Sequence, residues 1–228
     1  TLLFNSGHTH FRYARCLIQN KSIEPALKNL QSAKIEFKKV LKLDFNEHDS
    51  QVHHNLAAIY VSQAGISSSE TNRTSCLRKA LERFTRAHQL SPESTSILNS
   101  WGKALFKCGE TPYKNKKYIE SHEMFAKAAE KYTLLCKLLN EFNEDAFRNL
   151  GFALVMCIKT RQHIDEVTPQ YNKKIKRALS LYMNIIETST NEWSKETRHI
   201  IKHISTDGYY PNLMERAKQM IEAHTEKQ

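Results

Sequence analysis

The chain is poor in the residues that interrupt regular structure, with 6 glycines and 5 prolines among 228 residues. So few turn-formers exclude a fold of many short strands joined by tight turns. β-branched residues rarely cluster in alternating runs, while Leu, Ala, Lys, Glu and Gln fill long stretches, a composition that favours helix throughout. Long hydrophobic runs are missing too. The longest nearly unbroken apolar stretch, Leu150 to Ile158, is too short to cross a bilayer, and no signal peptide is visible. The chain starts at Thr1 rather than Met, consistent with a processed form or an ordered fragment, so an anchor or targeting segment outside it stays open. Acidic residues are in deficit: 24 Asp and Glu against 34 Lys and Arg leave a net charge of +10. That balance attracts acidic peptides, anionic headgroups or nucleic acid.

Paired cysteines are lacking. Cys16, Cys76, Cys108, Cys136 and Cys157 are odd in number, scattered, and form no CxxC. They read as small packing residues in a reducing compartment, which places the chain inside the cell, in the cytoplasm. The triplets Asn20-Lys21-Ser22 and Asn72-Arg73-Thr74 match the glycosylation pattern, but the cysteine usage argues against secretion.

What is present is a two-helix pattern repeated four times. The third copy is clearest: Leu98, Trp101, Gly102 and Leu105, then Gly109, a basic insert from Glu110 to Lys117, then Phe125 and Ala128. Gly102 is expected where two helices cross closely. The second copy has Leu56, Ala57 and Tyr60, a polar loop over 65–72, then Ala80, Phe84, Ala87 and Pro92, with Ser91-Pro92-Glu93 reading as the start of the next helix. The first copy carries Tyr13, Ala14 and Leu17, then Ser22 and Pro25 at a helix start, then Ala33, Phe37 and Val40, closing on Leu43-Asp44-Phe45-Asn46. The fourth opens near Asn143 with Phe147, Leu150, Gly151 and Leu154, has an insert from Gln162 to Val167, and resumes at Thr168-Pro169 with Ala178, Tyr182 and Ile185. Trp193, Ile200, Ile201, Ile204, Leu213, Met214, Ala217 and Ile221 belong to terminal helices that cap the stack.

The order large–small–aromatic, then Ala…Phe…Ala…Pro, resembles the tetratricopeptide repeat. The resemblance spans about residues 7 to 190, is best in the second and third copies, and departs from the family in the lengthened loop expected between the helices of every pair. It implies an all-α, right-handed α-solenoid of about four such pairs. The repeat domain is expected over 1–190, with C-terminal capping helices over 191–228 packed on it. Such repeats build binding surfaces rather than reaction centres, so the implied function is a scaffold or adaptor.

At 100° per residue, the first helix of each pair has a side turned away from the repeat positions. In the third copy it carries Ser96, Asn99, Lys103 and Phe106. The same phase gives His8, Phe11, Arg15 and Ile18, then Gln51, His54, Ala58 and Val61, then Asp145, Arg148, Phe152 and Val155, with Lys107 and Met156 at the edges. In the resembled architecture this side lines the concave surface. Its cations are Arg15, Lys103, Lys107 and Arg148, its apolar contacts Phe11, Phe106, Phe152 and Met156, and its one acid Asp145. The ligand that suits it is a peptide with acidic and hydrophobic residues, and subunits of a larger complex are further candidate partners.

The family's best-known ligand mode clamps the C-terminal carboxylate of chaperones. Asn55 matches its middle Asn, but the first helix offers Phe11 and Arg15 in place of Lys and Asn, and the fifth helix lacks the paired cations. Stretched loops together with Trp101-Gly102-Lys103-Ala104-Leu105 also look like the plant-type receptor for protein import at the mitochondrial outer membrane. That family binds positively charged presequences, which a basic face suits poorly. It stands as an alternative, beside a basic RNA- or membrane-associated structural subunit of a large assembly. Two basic clusters, Lys114, Lys116 and Lys117, and Lys173, Lys174, Lys176 and Arg177, lack the aromatic interleaving of a single-strand binder.

Catalytic patterns are lacking. His199 and His203 sit one turn apart, but Ile200 stands where a zincin has Glu. There is no phosphate-cradling glycine loop, no nucleophile elbow and no Cys/His signature. The expectation is a non-enzyme with no cofactor and no metal.

Overall fold

The computed structural model describes residues 2–43, 49–139, 143–164, 167–188 and 194–225. The segment Asp44-Phe45-Asn46 and Trp193 therefore lie outside the described residues, as does the expected domain boundary at 190/191. The described residues are helices and the turns and short irregular links between them, with no strand among them. Ten helices follow in order: α1 Leu2–Gln19, α2 Ile23–Val40, α3 Asp49–Ile66, α4 Glu70–Leu90, α5 Thr95–Lys114, α6 Tyr118–Leu138, α7 Glu144–Arg161, α8 Pro169–Thr188, α9 Lys195–Ser205 and α10 Pro211–Thr225.

The expected long loops are not there for the first three pairs. The connections α1–α2, α3–α4 and α5–α6 are residues 20–22, 67–69 and 115–117. The extra residues became helix instead: α5 runs through most of the basic insert, with Pro112 inside its last turns. Two of the short turns close in the same way. Lys21 adopts φ 58° and Lys116 φ 59°, the left-handed conformation in which chains commonly leave a helix. Behind Lys21, Ser22 donates its N–H to the Leu17 carbonyl at 2.8 Å, and behind Lys116, Lys117 donates to Pro112 at 2.9 Å. Only between α7 and α8 is the connection long, at residues 162–168.

First helices begin at residues 2, 49, 95 and 144, so the period is 47, 46 and 49 residues. That is well above the ~34 residues of a tetratricopeptide repeat and near the roughly 40–47 of the longer helical repeats. The third pair also starts later than expected. Ser91 ends α4 by donating its N–H to Ala87, and Ser94 caps α5 by accepting from Ile97 N–H at 3.5 Å. Asn143, by contrast, caps α7 as its sequence suggests, its Oδ1 accepting from Ala146 N–H at 2.9 Å.

Two compact units divide inside α5, Thr1–Ala104 and Leu105–Gln228. In the first, successive helices pack on one another. Phe11 and Ala14 of α1, Leu30, Ala33 and Phe37 of α2, and Val52, Leu56 and Ile59 of α3 form one core. Ala57 and Tyr60 of α3, Ala80, Phe84 and Ala87 of α4, and Ile97 and Ala104 of α5 form the next, with Trp101 against it. Helix α3 thus buries two faces, one toward each core, as an interior helix of a repeat stack must.

In the second unit α6 packs on α7 and α8, α7 on α8 and α9, and α10 on α8 and α9. Glycines mark close approaches. A Cβ on Gly109 of α5 would lie 2.8 Å from the Phe125 ring of α6, and one on Gly151 of α7 would meet Ile200 of α9 and, at 2.8 Å, the Tyr182 hydroxyl of α8. Gly102 is buried, but this approach of α5 to α6 falls at Gly109, about two turns further on. Within each unit, neighbour-on-neighbour packing of recurring helix pairs is the architecture of a helical-repeat protein.

Candidate functional site

The expected peptide contacts separate into exposed and packed residues. On α1, Arg15 is exposed, but Phe11 is a core residue, 7% exposed among Leu30, Phe37 and their neighbours. The expectation that Phe11 contacts a ligand is therefore corrected. The inward stripe of α1 is Phe4, Gly7, Phe11, Ala14 and Ile18, at spacings of three and four, buried at its three middle positions and half-buried at its ends, whereas Tyr13 is 57% exposed. Tyr13 beside Ala14 imitates the large–small step and rotates the apparent phase.

On α3, His54 and Asn55 are half-buried. His54 shares a hydrogen bond between Nε2 and the Ser100 hydroxyl of α5 at 2.9 Å, and its ring lies 5.9 Å from that of Phe84. Burial pushes its imidazole pKa down, keeping it neutral. This side chain ties three helices together.

On α5, Lys103 and Lys107 are exposed one turn apart. Phe106 is half-buried, its ring 5.0 Å from that of Phe125. On α7, Arg148 is ion-paired to Asp145, so the one acid of this face already engages one of its cations. Phe152 is 37% exposed, one turn beyond Arg148, Met156 is half-buried, and Val155 is buried. The outward cations and Phe152 keep the expected phase; Phe11 and Val155 do not.

Sequence reasoning missed a groove between α6 and α8, of about 290 Å³. Ala126, Ala129, Ile175 and Ala178 give it an apolar floor, and Lys131, Lys137, Lys174 and Arg177 rim it. Lys174 donates to Glu130 across it at 2.8 Å. Its sequence signal was available: the basic cluster on α8 supplies Lys174 and Arg177, one turn apart.

Polar chemistry elsewhere in the second unit is structural. The Arg161 guanidinium lies 4.1 Å over the Tyr209 ring and donates to the Tyr210 hydroxyl at 3.2 Å, which in turn donates to Asn172 Oδ1 at 3.4 Å. Asp207 accepts the Tyr209 N–H at 3.3 Å, and burial pushes its carboxyl pKa up. These bonds lock the end of α7 to α8 and to the α9–α10 turn. His199 and His203 pack edge to face at 4.6 Å. Burial, then Lys159, His199 and Lys202, push the His203 pKa down, a cationic setting hostile to a metal ion. Among the described residues no group of three or more His, Cys, Asp or Glu side chains could hold a metal, and no helix is long and apolar enough to cross a membrane. All five thiols are free; burial pushes that of Cys108 up to about 12.

Comparison with known protein families finds no matching family, and comparison with curated proteins finds no matching relative. Among solved structures the chain is similar to a de novo designed helical repeat protein, at 16% identity over 98% of this chain and 90% of that one, with a TM-score of 0.22.

Proposed function

We propose that this chain is a non-enzymatic helical-repeat scaffold or adaptor, which takes a segment bearing acidic and apolar side chains on the outward faces of its first helices. The observation that carries the reading is on α7: Phe152 stays exposed one turn from the Arg148 cation while the opposite stripe, Phe147, Leu150 and Leu154, is buried. An exposed aromatic beside a cation is a contact for a mixed acidic–apolar ligand, not a solubility device. On α5, Lys103 and Lys107 add two exposed cations one turn apart.

The test begins with a pull-down in mild salt to obtain the partner. Its affinity is then measured for K103E/R148E and for K114E/K116E, each first checked by circular dichroism. The first-helix variant should lose at least about tenfold in affinity, because each change turns attraction into repulsion. The second, at the end of α5 and its turn, should bind like the parent. The opposite ranking overturns the reading. Nuclease-sensitive or vesicle-dependent retention instead of a protein favours the RNA- or membrane-associated alternative.

A further inference from the structure

We propose that the groove between α6 and α8 is a second docking site, distinct from the first-helix faces, and that its occupant is an acidic amphipathic helix of a partner protein. Three observations support that occupant. The first is charge. Four cations, Lys131, Lys137, Lys174 and Arg177, line the groove against a single carboxylate, Glu130, which Lys174 already engages at 2.8 Å. Lys137 and Arg177 are exposed at the rim. Lys131 is half-buried; burial pushes its ammonium pKa down, Glu130 pushes it up and Lys174 down again.

The second is shape. At about 290 Å³ the groove accepts one or two aliphatic side chains and no more. Its floor is alkyl: Ala126, Ala129, Ile175 and Ala178 are almost wholly buried, and Leu134 forms a half-buried wall. A phosphate group finds cations there but no reason for that floor. RNA finds no aromatic platform, since among the described residues no aromatic side chain lines the groove. A bilayer meets a recess rather than a protruding apolar edge.

The third is the backbone. Both walls are regular helices whose main-chain groups are satisfied internally. An extended segment laid between them finds no partners for its own N–H and carbonyl groups, whereas a helix brings its own. Lys131 and Lys137 stand six residues apart on α6, about 9 Å along its axis. Acidic residues spread over two turns of a ligand helix span that distance, while aliphatic residues at i and i+4 enter the floor.

The probe is a fluorescein-labelled helical peptide of about 15 residues, with two leucines one turn apart flanked on both sides by glutamates. Fluorescence anisotropy is read against the full chain, against K137E/R177E and against K114E/K116E, and each variant's helicity is confirmed by circular dichroism. The peptide should bind the parent. K137E/R177E should weaken it by about tenfold or more, K114E/K116E should leave it within about twofold, and a version with glutamine for glutamate should bind far more weakly. No binding to the parent, equal binding to K137E/R177E, or equal binding of the glutamine peptide each overturns the proposal. So does retention of the chain on phosphatidylserine vesicles or a homopolymeric RNA that is abolished by K137E/R177E while the peptide fails to bind. A loss in K114E/K116E as large as that in K137E/R177E would reduce the effect to overall charge and overturns the proposal as well.

Discussion

Gly109 of α5 faces the ring of Phe125 on α6 so closely that a methyl group in place of its hydrogen would stand 2.8 Å from Cε1 of that ring. Phe125 is completely buried and its ring also meets that of Phe106, so it has little room to yield. G109A should therefore destabilise the protein by about 1–3 kcal/mol despite the better helix propensity of Ala. Gly65, near the end of α3, has open space where its Cβ would be. There only propensity acts, and G65A should stabilise by about 0.5–1 kcal/mol. Chemical denaturation of both variants checks the pair, and a G109A protein as stable as the parent would remove the close approach from the account.

Lys21 and Lys116 hold left-handed backbone that glycine adopts without strain. K21G and K116G should each stabilise by about 0.5–1 kcal/mol, the relief of that strain exceeding the added freedom of the unfolded chain. Thermal melts of the single variants decide it; a lowered midpoint would show that the lysine side chains contribute more than the turn costs.

His122 gives the fold a pH dependence. Its Nδ1–H donates to the Cys157 carbonyl at 3.2 Å and lies 2.9 Å from the Thr160 hydroxyl, which itself donates to the Met156 carbonyl at 2.8 Å. That leaves Nε2, buried and without a partner, as the only place for a second proton. Burial pushes the pKa down, the Cys157 carbonyl pushes it up and Arg161 down. With the folded pKa below the unfolded value of 6.5, the unfolded chain binds more protons in between. Stability is then complete above pH 6.5 and is lost as the pH falls through the folded pKa, by up to about 1.4 kcal/mol per pH unit. His54 adds to the loss with the same sign. Denaturation at pH 7.5 and 5.5 should show a smaller acid-side loss in H122Q than in the parent, and an unchanged difference would contradict the assignment.

Binding to the first-helix faces should weaken as salt rises. Lys103 and Lys107 are exposed, and charges in water are screened over about 10 Å at 0.1 M salt. Affinity for the isolated partner, measured across a salt series, should fall steadily; a flat profile would assign the affinity to Phe152 and other apolar contacts.

Much of the fold is legible in the sequence because helical periodicity survives in every element. Ala80, Phe84 and Ala87 are buried together as their spacing requires, and Asn143 and Pro169 mark the starts of α7 and α8. What misled was local. Polar residues after Gly65 and after Gly109 read as loop, yet an exposed helical turn is polar as well, and Pro112 is tolerated near the end of α5. The site was less legible. A face is fixed by angle, and one wrong anchor, Tyr13 for Phe11, turns the whole of α1. The groove between α6 and α8 needs two helices side by side, which the spacing within either one cannot reveal.

The three short turns at 20–22, 67–69 and 115–117 also bear on how fast the protein assembles. Each joins helices that meet immediately, so the loop-closure entropy of every hairpin is small. Native contacts in α1–α4 link near neighbours along the chain, a topology of low contact order that folds in microseconds to milliseconds rather than seconds. Nucleation in any one hairpin can then spread to the next. The longer connection at 162–168 changes this little, because closure entropy grows only with the logarithm of loop length, so α8 returns to α6 and α7 at nearly the same cost.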